Sequence, residues 1–263
     1  MCTTNDTCVI VPSCGRHGVL MDRGLTLAWA SHLTVPVYLL VHNSESQHYA
    51  RVASQYNVQL ITHDCTTVSR IRDYAIDFAE DYTYLWLLDD DLLFSYRDWN
   101  STKLPRLPYD QLQRALTELK TLVNEGCPLA GLRHRMFAHS CKEPVEYNKR
   151  VMWTPLLHLP TFRASGWRYA WEGDFMEDFR MQCMIVRNRR ATAVLNSYVA
   201  NDALGAWREG GCNTYRTLAG RSRAATLLFQ EYPEYVSLVQ RQSPTQLGES
   251  YMDVRLRLPR IPV

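Results

Sequence analysis

The sequence predicts an α/β fold, in which a parallel nucleotide-binding sheet of the Rossmann type is flanked by helices. Apolar segments of strand length alternate with segments of helical periodicity through the first third of the chain. The last of these strands, residues 84–88, is almost uniformly apolar, as expected of a strand that is covered on both faces. Because strands and helices alternate, the strands are expected to pair in parallel.

The first third contains four predicted strands with helices between them. The first is the apolar run 8–11, which is stopped by Pro12 and Ser13. The next strands are predicted at residues 35–41, 58–61 and 84–88. Helices are predicted at residues 25–33, 47–56 and 68–80, the last with Ile71, Ala75, Phe78 and Ala79 on one face.

The rest of the chain mixes helices and strands without a visible break. Residues 109–125 have the pattern of an amphipathic helix, which Gly126 and Pro128 terminate. Further helices are predicted at residues 175–186 and 217–230, and strands at 129–132, 151–159, 193–199 and 235–239. No linker, repeat or shift of composition separates two units, so a single compact domain is favoured.

The composition excludes several classes of protein. The 263 residues are 46% hydrophobic, which rules out wholesale disorder, and no run approaches the ~20 apolar residues of a membrane span. No secretory signal is visible at the N-terminus, so a cytoplasmic location is expected. Eight scattered cysteines without a C-x-x-C pair are expected to be mostly reduced and argue against structural zinc. The net charge of +2 neither proposes nor excludes a polyanionic partner.

The strongest local signal is the acidic triplet Asp89-Asp90-Asp91, which follows the apolar strand 84–88. Ligands of open α/β sheets bind beyond the carboxyl ends of the strands. Three adjacent carboxylates repel one another unless a cation or hydrogen-bond donors compensate. If the extended backbone continues, Asp89 and Asp91 point to one side and could share Mg²⁺ or Mn²⁺. The alternative is a solvated acidic turn.

A second acidic signal is the pair Glu177-Asp178, near the start of a predicted helix. The structural interpretation makes Asp174 the N-cap and Glu177 its capping-box partner. That interpretation gives Asp178 no role in capping the helix, so Asp178 is left for another function. A carboxylate held near an acceptor hydroxyl could act as a general base.

Three basic features could bind phosphate. The loop 12–16 can present backbone N–H groups and Arg16 to a nucleotide diphosphate, or it is an ordinary β-to-α turn. Solvated helix charges are the default interpretation of Arg70 and Arg72. The glycine-rich loop 210–216 could close over a pyrophosphate, with Arg216 neutralising the charge of the leaving group, or it is a plain turn.

Basic and aromatic side chains are interleaved through the second half of the chain. Arginine and aromatic rings together suit a phosphate backbone and stacked bases, although folded surfaces carry many arginines as well. The basic residues include Arg133, Arg135, Lys149, Arg150, Arg221 and Arg223.

Taken together, these motifs resemble those of GT-A-fold glycosyltransferases, which use a D-x-D-type motif, a divalent metal and a nucleotide-sugar donor. The finer pattern resembles the TET-associated glycosyltransferases of bacteriophages, which attach sugar to 5-hydroxymethylcytosine in viral DNA. The matching stretches run from about residue 9 to residue 239. They are VIVPSCGR, VSRIRDYAIDFA, LWLLDDDLLF, GLRHR, MEDFRMQCMI, GGCNTYRT and YPEYVSL.

For the donor, the resemblance implies that Pro12, Ser13 and Arg16 line the uridine-diphosphate pocket. It places Arg70 near the base or the phosphates, and Arg216 near the diphosphate or the DNA backbone. Cys14 is a departure, because an arginine or a glycine is expected after the Pro-Ser pair.

For the reaction, the resemblance implies that Asp89 or Asp90 contacts the ribose or the donor sugar. Asp91 and Asp89 would bind Mn²⁺ or Mg²⁺, and the chain shows no unambiguous late histidine as a further ligand. Asp178 would be the general base and Glu177 a neighbour that orients the sugar.

The sequence therefore predicts a hexosyl- or N-acetylhexosaminyltransferase that moves a sugar from a UDP-sugar to 5-hydroxymethylcytosine in phage DNA, in the host cytoplasm. Residues 1–92 would form the nucleotide-sugar-binding half and 93–263 the acceptor-binding half of one GT-A domain. A glycan, protein or small-molecule acceptor is the first alternative. A metal-dependent nuclease and a non-catalytic nucleic-acid-binding module are the others, and inverting and retaining routes both stay open.

Overall fold

The computed structural model describes residues 6–204, 217–243 and 249–259. Within these residues the strands are β1 (Thr7–Ser13), β2 (Val37–His42), β3 (Gln59–His63), β4 (Tyr84–Leu87), β5 (Leu92–Tyr96), β6 (Leu129–His134), β7 (Val145–Tyr147), β8 (Leu156–His158), β9 (Thr192–Asp202), β10 (Val236–Gln242) and β11 (Ser250–Leu256). The α-helices are α1 (His17–Arg23), α2 (Thr26–Ala30), α3 (Ser46–Gln55), α4 (Val68–Phe78), α5 (Leu112–Asn124), α6 (Leu159–Ser165), α7 (Glu177–Arg187) and α8 (Leu218–Glu231).

One large sheet organises the molecule. In the described part of the chain it has nine strands in the order β3-β2-β1-β4-β8-β6-β9-β5, with β7 beside β9. The strands β1 to β4 pair in parallel, as the alternation of strands and helices predicts. The sheet contains strands from both predicted halves of the domain, and the division at residue 92 stays a prediction.

Helices cover both faces of the parallel part. Along β1, Val9 and Val11 enter one apolar core, while Cys8 and Ile10 enter a second core on the opposite face. All four side chains are completely buried. This two-sided burial explains why residues 8–11 of β1 and all of β4 are apolar at successive positions rather than at every second one.

The second half of the sheet is mixed. The strand β8 runs antiparallel to both β4 and β6, so that β4 and β6 point in the same direction. The strand β9 is parallel to β6, and β5 is antiparallel to β9. The carboxyl ends of β1, β4, β6 and β9 therefore lie along one edge of the sheet.

The strand predicted at residues 151–159 is wrong over most of its length. Only Leu156–His158 is a strand, and α6 begins at Leu159. Trp153 has a φ of 57°, which is incompatible with extended backbone. The structure also contains β5 directly after the acidic triplet, an element that the sequence pattern does not predict.

The C-terminal part packs behind α7. The helix α8 and the antiparallel hairpin β10–β11 enclose a third apolar cluster. This cluster includes Met176 and Cys183 from the α7 segment together with Leu228 and Tyr232 from α8. Helix α7 is thereby fixed between this cluster and the main sheet. No helix among the described residues is both long and apolar enough to cross a membrane.

Candidate active site

The acidic triplet lies at the edge of the sheet where the parallel strands end. Leu88 donates its backbone N–H to the carbonyl of Ile10 at 3.1 Å, so the end of β4 lies beside the end of β1. The chain then turns at Asp90 and Asp91 and enters β5. The extended backbone therefore does not continue through the triplet, and extended conformation was the condition for Asp89 and Asp91 to point to the same side.

Asp90 and Asp91 both face Arg16. The NH1 group of Arg16 lies 2.5 Å from Oδ1 of Asp90 and 2.9 Å from Oδ2 of Asp91. Ser13 donates its hydroxyl to Oδ2 of Asp90 at 2.5 Å. The loop 12–16 therefore surrounds the triplet with hydrogen-bond donors, and Arg16 is its nearest counter-cation. The contact of Pro12, Ser13 and Arg16 with a diphosphate stays a prediction.

The position of the triplet is fixed by Thr26 on α2. Its hydroxyl donates to the carbonyl oxygen of Asp89 at 2.5 Å and accepts the N–H of Leu92 at 2.8 Å. The carbonyl oxygen of Asp91 accepts the N–H of Ala203, just beyond β9, at 2.8 Å. Helix α2 and the segment after β9 thus hold the turn, so the carboxylates have a preset arrangement.

The carboxylates of Asp90 and Asp91 are electrostatically strained. Burial, together with the charges of Asp90 and Asp89, raises the pKa of Asp91 to about 8, and Arg16 offsets only part of this effect. Burial also raises the pKa of Asp90, against the opposing effect of Arg16 and Ser13. A further positive charge at the triplet would relieve the repulsion.

Asp89 faces a different cation, the buried Arg72 on α4. The NH2 group of Arg72 lies 3.5 Å from Oδ1 of Asp89, and its NH1 group lies 3.2 Å from Oε1 of Glu177. Its guanidinium also lies 5.3 Å from the centre of the Tyr169 ring. The interpretation of Arg72 as a solvated charge is wrong, because its side chain is only 7% exposed. Arg70 is exposed, and its role near the donor stays a prediction.

Glu177 and Asp178 begin helix α7, but not through the predicted capping box. The N-cap is Met176, which has a φ of 59° and whose side chain makes no capping hydrogen bond. Asp174 lies two residues before Met176, so it is not the N-cap of this helix. Glu177 forms an ion pair with Arg72.

Asp178 is held by Arg150. Its Oδ2 atom accepts hydrogen bonds from Nε and NH2 of Arg150, both at 2.7 Å. The same guanidinium lies 3.6 Å from the centre of the Phe179 ring. Arg150 carries no distinct sequence signal, because it is one of many basic residues in the second half.

Two aromatic residues, Trp153 and His134, lie between the acidic triplet and Arg150. Asp89 donates its N–H to the carbonyl of Trp153 at 2.9 Å, and the Trp153 ring lies 4.2 Å from the ring of His134. Burial and the nearby charge of Arg150 lower the pKa of His134. The triplet, α7 and the end of β6 therefore border one region. Arg216, Cys212 and the rest of the loop 210–216 lie outside the described residues.

The chemistry of the donor set fits a divalent cation. If all are ionised, Asp89, Asp90, Asp91 and Glu177 carry four negative charges against the two guanidinium groups of Arg16 and Arg72. Carboxylate oxygens are the ligands that Mg²⁺ and Mn²⁺ prefer. Among the residues that the structure describes, however, no group of three or more His, Cys, Asp or Glu side chains is preassembled for a metal.

Two solved structures of similar architecture are TarS and GalNAc-T7. TarS of S. aureus, in complex with UDP-GlcNAc, has a TM-score of 0.54 and 11% identity over 85% of this chain and 66% of its own. GalNAc-T7 with UDP, GalNAc and Mn²⁺ has a TM-score of 0.50 and 11% identity over 89% of this chain and 50% of its own. This chain thus spans just under two thirds of the solved TarS chain, residues 1–349, and half of the solved GalNAc-T7 chain, and the likeness shows the GT-A fold.

The sequence comparison defines the family. A search of curated protein sequences gives no match. The sequence model of the TET-associated glycosyltransferase family, in contrast, matches residues 7–203. That match includes β1 to β9, the acidic triplet, Arg72 and the start of α7. With three quarters of its length matched and a GT-A fold, this chain belongs to the TET-associated glycosyltransferases.

Proposed function

We propose that this glycosyltransferase moves a sugar from a UDP-sugar to the hydroxymethyl group of 5-hydroxymethylcytosine in DNA, with Mn²⁺ or Mg²⁺ at the acidic triplet. The observation that carries the proposal is the buried bridge of Arg72 between Asp89 and Glu177. It joins the acidic edge of the nucleotide-binding sheet to the helix that holds Asp178. The proposed donor-binding edge of the sheet and the proposed general base therefore lie next to each other. The chain that carries them belongs to a family of transferases.

The loop 12–16 supports the donor assignment. It lies at the carboxyl end of β1, where open α/β sheets bind nucleotides. The Nε atom of Arg16 is buried and has no hydrogen-bond partner within the described residues. It is therefore available to a diphosphate oxygen, while NH1 of the same side chain is occupied by Asp90 and Asp91. The UDP complexes of TarS and GalNAc-T7 make uridine diphosphate the expected carrier.

The metal assignment rests on charge. Asp91 and Asp89 would hold the ion, with Asp90 directed to the ribose or the sugar. When bound, a divalent cation stabilises the negative charge of the departing diphosphate. In this protein the carboxylates of Asp89, Asp90 and Asp91 outnumber the two guanidinium groups, Arg16 and Arg72, with which they pair, and this excess of negative charge favours a cation there. The Mn²⁺ in GalNAc-T7 is consistent with this choice.

Asp178 is proposed as the general base of an inverting reaction. The acceptor hydroxyl oxygen forms a bond to the anomeric carbon, while the bond from that carbon to the diphosphate breaks and its electron pair leaves with UDP. Asp178 takes the hydroxyl proton, and its side chain is oriented for this by Arg150. Glu177, fixed by Arg72, would orient the sugar. A retaining route would assign another role to Asp178.

The acceptor is inferred from the family and from the surface chemistry. Glycan, protein and small-molecule acceptors are the alternatives, whereas membership of a transferase family argues against a nuclease and against a non-catalytic module. The target base of a duplex must leave the base stack to reach a buried carboxylate centre. DNA is favoured by the exposed basic and aromatic residues beside the site, which the next subsection describes.

The test is mass spectrometry of DNA after incubation with a panel of UDP-sugars and Mn²⁺. We expect a mass gain that is confined to DNA containing 5-hydroxymethylcytosine and is lost when EDTA removes the cation. The variant Asp91→Asn should lose at least about 100-fold in rate. Asp81→Asn is the matched control, because Asp81 is exposed and precedes β4 at the opposite edge of the sheet. No gain with any UDP-sugar, or an equal gain on unmodified DNA, would refute the proposal.

A further inference from the structure

Two large apolar side chains are exposed immediately after β6. The side chain of Met136 is 77% exposed and that of Phe137 is 45% exposed, in a short 3-10 turn that follows His134. Leaving apolar surface in water is unfavourable, and exposed apolar residues that lie together commonly mark a binding surface. We call residues 134–142 the β6 loop.

The β6 loop presents these side chains from a fixed backbone. Nδ1 of His134 accepts the N–H of Met136 at 2.9 Å, which caps the turn. Ala138 and Cys141 are buried beneath it, and the thiol of Cys141 donates to the carbonyl of Ala138 at 3.0 Å. Arg97 donates to the sulfur of Cys141 at 3.2 Å, which ties the loop to the end of β5. The buried residues beneath the turn therefore hold the side chains of Met136 and Phe137 toward the solvent.

The β6 loop borders the candidate active site. The strand β6 ends at the same edge of the sheet as β4, because β8 is antiparallel to both. The ring of His134, the first residue of the loop, lies 4.2 Å from the ring of Trp153, and the carbonyl of Trp153 accepts the N–H of Asp89. The exposed turn is thus linked to the acidic triplet through His134 and Trp153.

The charge of the β6 loop suits a polyanion. Residues 134–142 contain Arg135 and Lys142 and no acidic residue. Both cations are exposed, and neither forms an ion pair with any of the residues that the structure describes. Basic side chains that flank exposed apolar ones are the combination that lets a protein neutralise phosphates while it inserts a wedge between bases.

We propose that the β6 loop docks on the acceptor DNA and that Met136 and Phe137 insert into the base stack beside the target base. This inference rests on the proposed function and identifies how duplex DNA would be opened. An extruded base leaves a gap, and apolar side chains inserted at that gap offset the lost stacking. Arg135 and Lys142 neutralise the phosphates on either side, and the extruded base passes toward Trp153 and the triplet.

The test compares duplex and single-stranded DNA of one sequence, each with one 5-hydroxymethylcytosine. The variant Met136→Ala/Phe137→Ala should lower the transfer rate on the duplex at least about tenfold and leave the single strand within about twofold. Phe78→Ala is the matched control, because this ring is 37% exposed at the end of α4, at the opposite edge of the sheet. It should change neither rate.

A second readout reports opening of the stack directly. With 2-aminopurine beside the target base, the wild-type protein should increase its fluorescence on binding, and the double variant should not. Arg135→Ala should weaken duplex binding and reduce its salt dependence, and Arg135→Lys should restore both.

The outcomes separate the two proposals. Equal losses on duplex and single strand, or no loss on the duplex, would overturn the role of the β6 loop while the acceptor assignment stands. Wild-type transfer to single strands alone would also overturn insertion. A wild-type protein that modifies neither form would refute the DNA acceptor itself, and the inference with it.

Discussion

Arg72 shows how much of the candidate site depends on single buried residues. Its guanidinium is enclosed among Asp89, Glu177 and the ring of Tyr169. Ser69, Arg72, Ala75 and Ile76 form the buried stripe of α4, and this helical spacing is the signal by which the sequence could have identified it. The triplet, in contrast, is recognisable from its place after an apolar strand. Glu177 comes from a distant part of the chain, so no local pattern reveals its pairing.

Replacement of Arg72 by methionine should destabilise the protein strongly. It leaves the buried Glu177 carboxylate without its guanidinium, which typically costs about 3 kcal/mol or more in the free energy of unfolding. Urea denaturation measures this loss, and Arg70→Met, two residues away and exposed, should stay within about 0.5 kcal/mol of wild type. The double variant Arg72→Met/Glu177→Gln should recover part of the loss. Equal stabilities of Arg72→Met and Arg70→Met would contradict the buried bridge.

His63 makes stability depend on pH. Its side chain is buried, and its Nδ1 accepts the N–H of Cys65 at 3.0 Å, so the folded protein holds it neutral. Burial, with the nearby ring of His42, lowers the pKa of His63 below its ordinary value. For a base with a lowered pKa, the stabilising contribution is present above the unfolded pKa of about 6.5 and is lost as the pH falls below it.

The variant His63→Asn tests this dependence, because its amide oxygen can accept the same N–H without titrating. The midpoint of urea unfolding of the wild-type protein should fall between about pH 7.5 and about pH 5.5, and that of the variant should fall less. An identical fall in both proteins would show that His63 is not the titrating group. The comparison uses the slope with pH, so a uniform packing cost of the substitution does not affect it.

At the scale of elements, periodicity predicts most of the regular structure. The helices predicted at residues 47–56 and 68–80 correspond to Ser46–Gln55 and Val68–Phe78. The failures occur where backbone conformation is set by tertiary contacts. Trp153 adopts a positive φ inside an apolar run, and Met176 and Asp174 do so before α7. These conformations are rare for residues with a Cβ atom, so composition alone gives no indication of them.

The close approach of β6 to the segment that carries Trp153 can be tested at Gly131. A Cβ atom at this position would lie 2.4 Å from Cγ1 of Val151 and 3.1 Å from the carbonyl oxygen of Thr154. Gly131→Ala should therefore reduce the free energy of unfolding by about 1–3 kcal/mol, as measured by urea denaturation. Gly18→Ala is the control, because no atom lies within 4 Å of its added Cβ. A loss no greater than that of the control would contradict the packing described here.

At the scale of the whole molecule, the near-zero net charge hides two regions of opposite sign. Acidic groups converge on the edge of the sheet at Asp89 and on the start of α7. Cationic and apolar side chains are exposed on the neighbouring β6 loop. The sequence predicts the fold class and the acidic centre, because both depend on local runs. It does not predict which carboxylates pair with Arg16, Arg72 and Arg150, because those contacts depend on how distant elements meet.

We propose that one centre, formed by the triplet and the start of α7, transfers sugar to 5-hydroxymethylcytosine. The most direct measurement is single-turnover transfer of labelled sugar to an oligonucleotide that carries one such base, with Asp178→Asn compared to Asp174→Asn. We predict that Asp178→Asn lowers the transfer rate about 100-fold or more while donor binding is retained, and that Asp174→Asn behaves as wild type. Equal rates for Asp178→Asn and wild type would contradict the account.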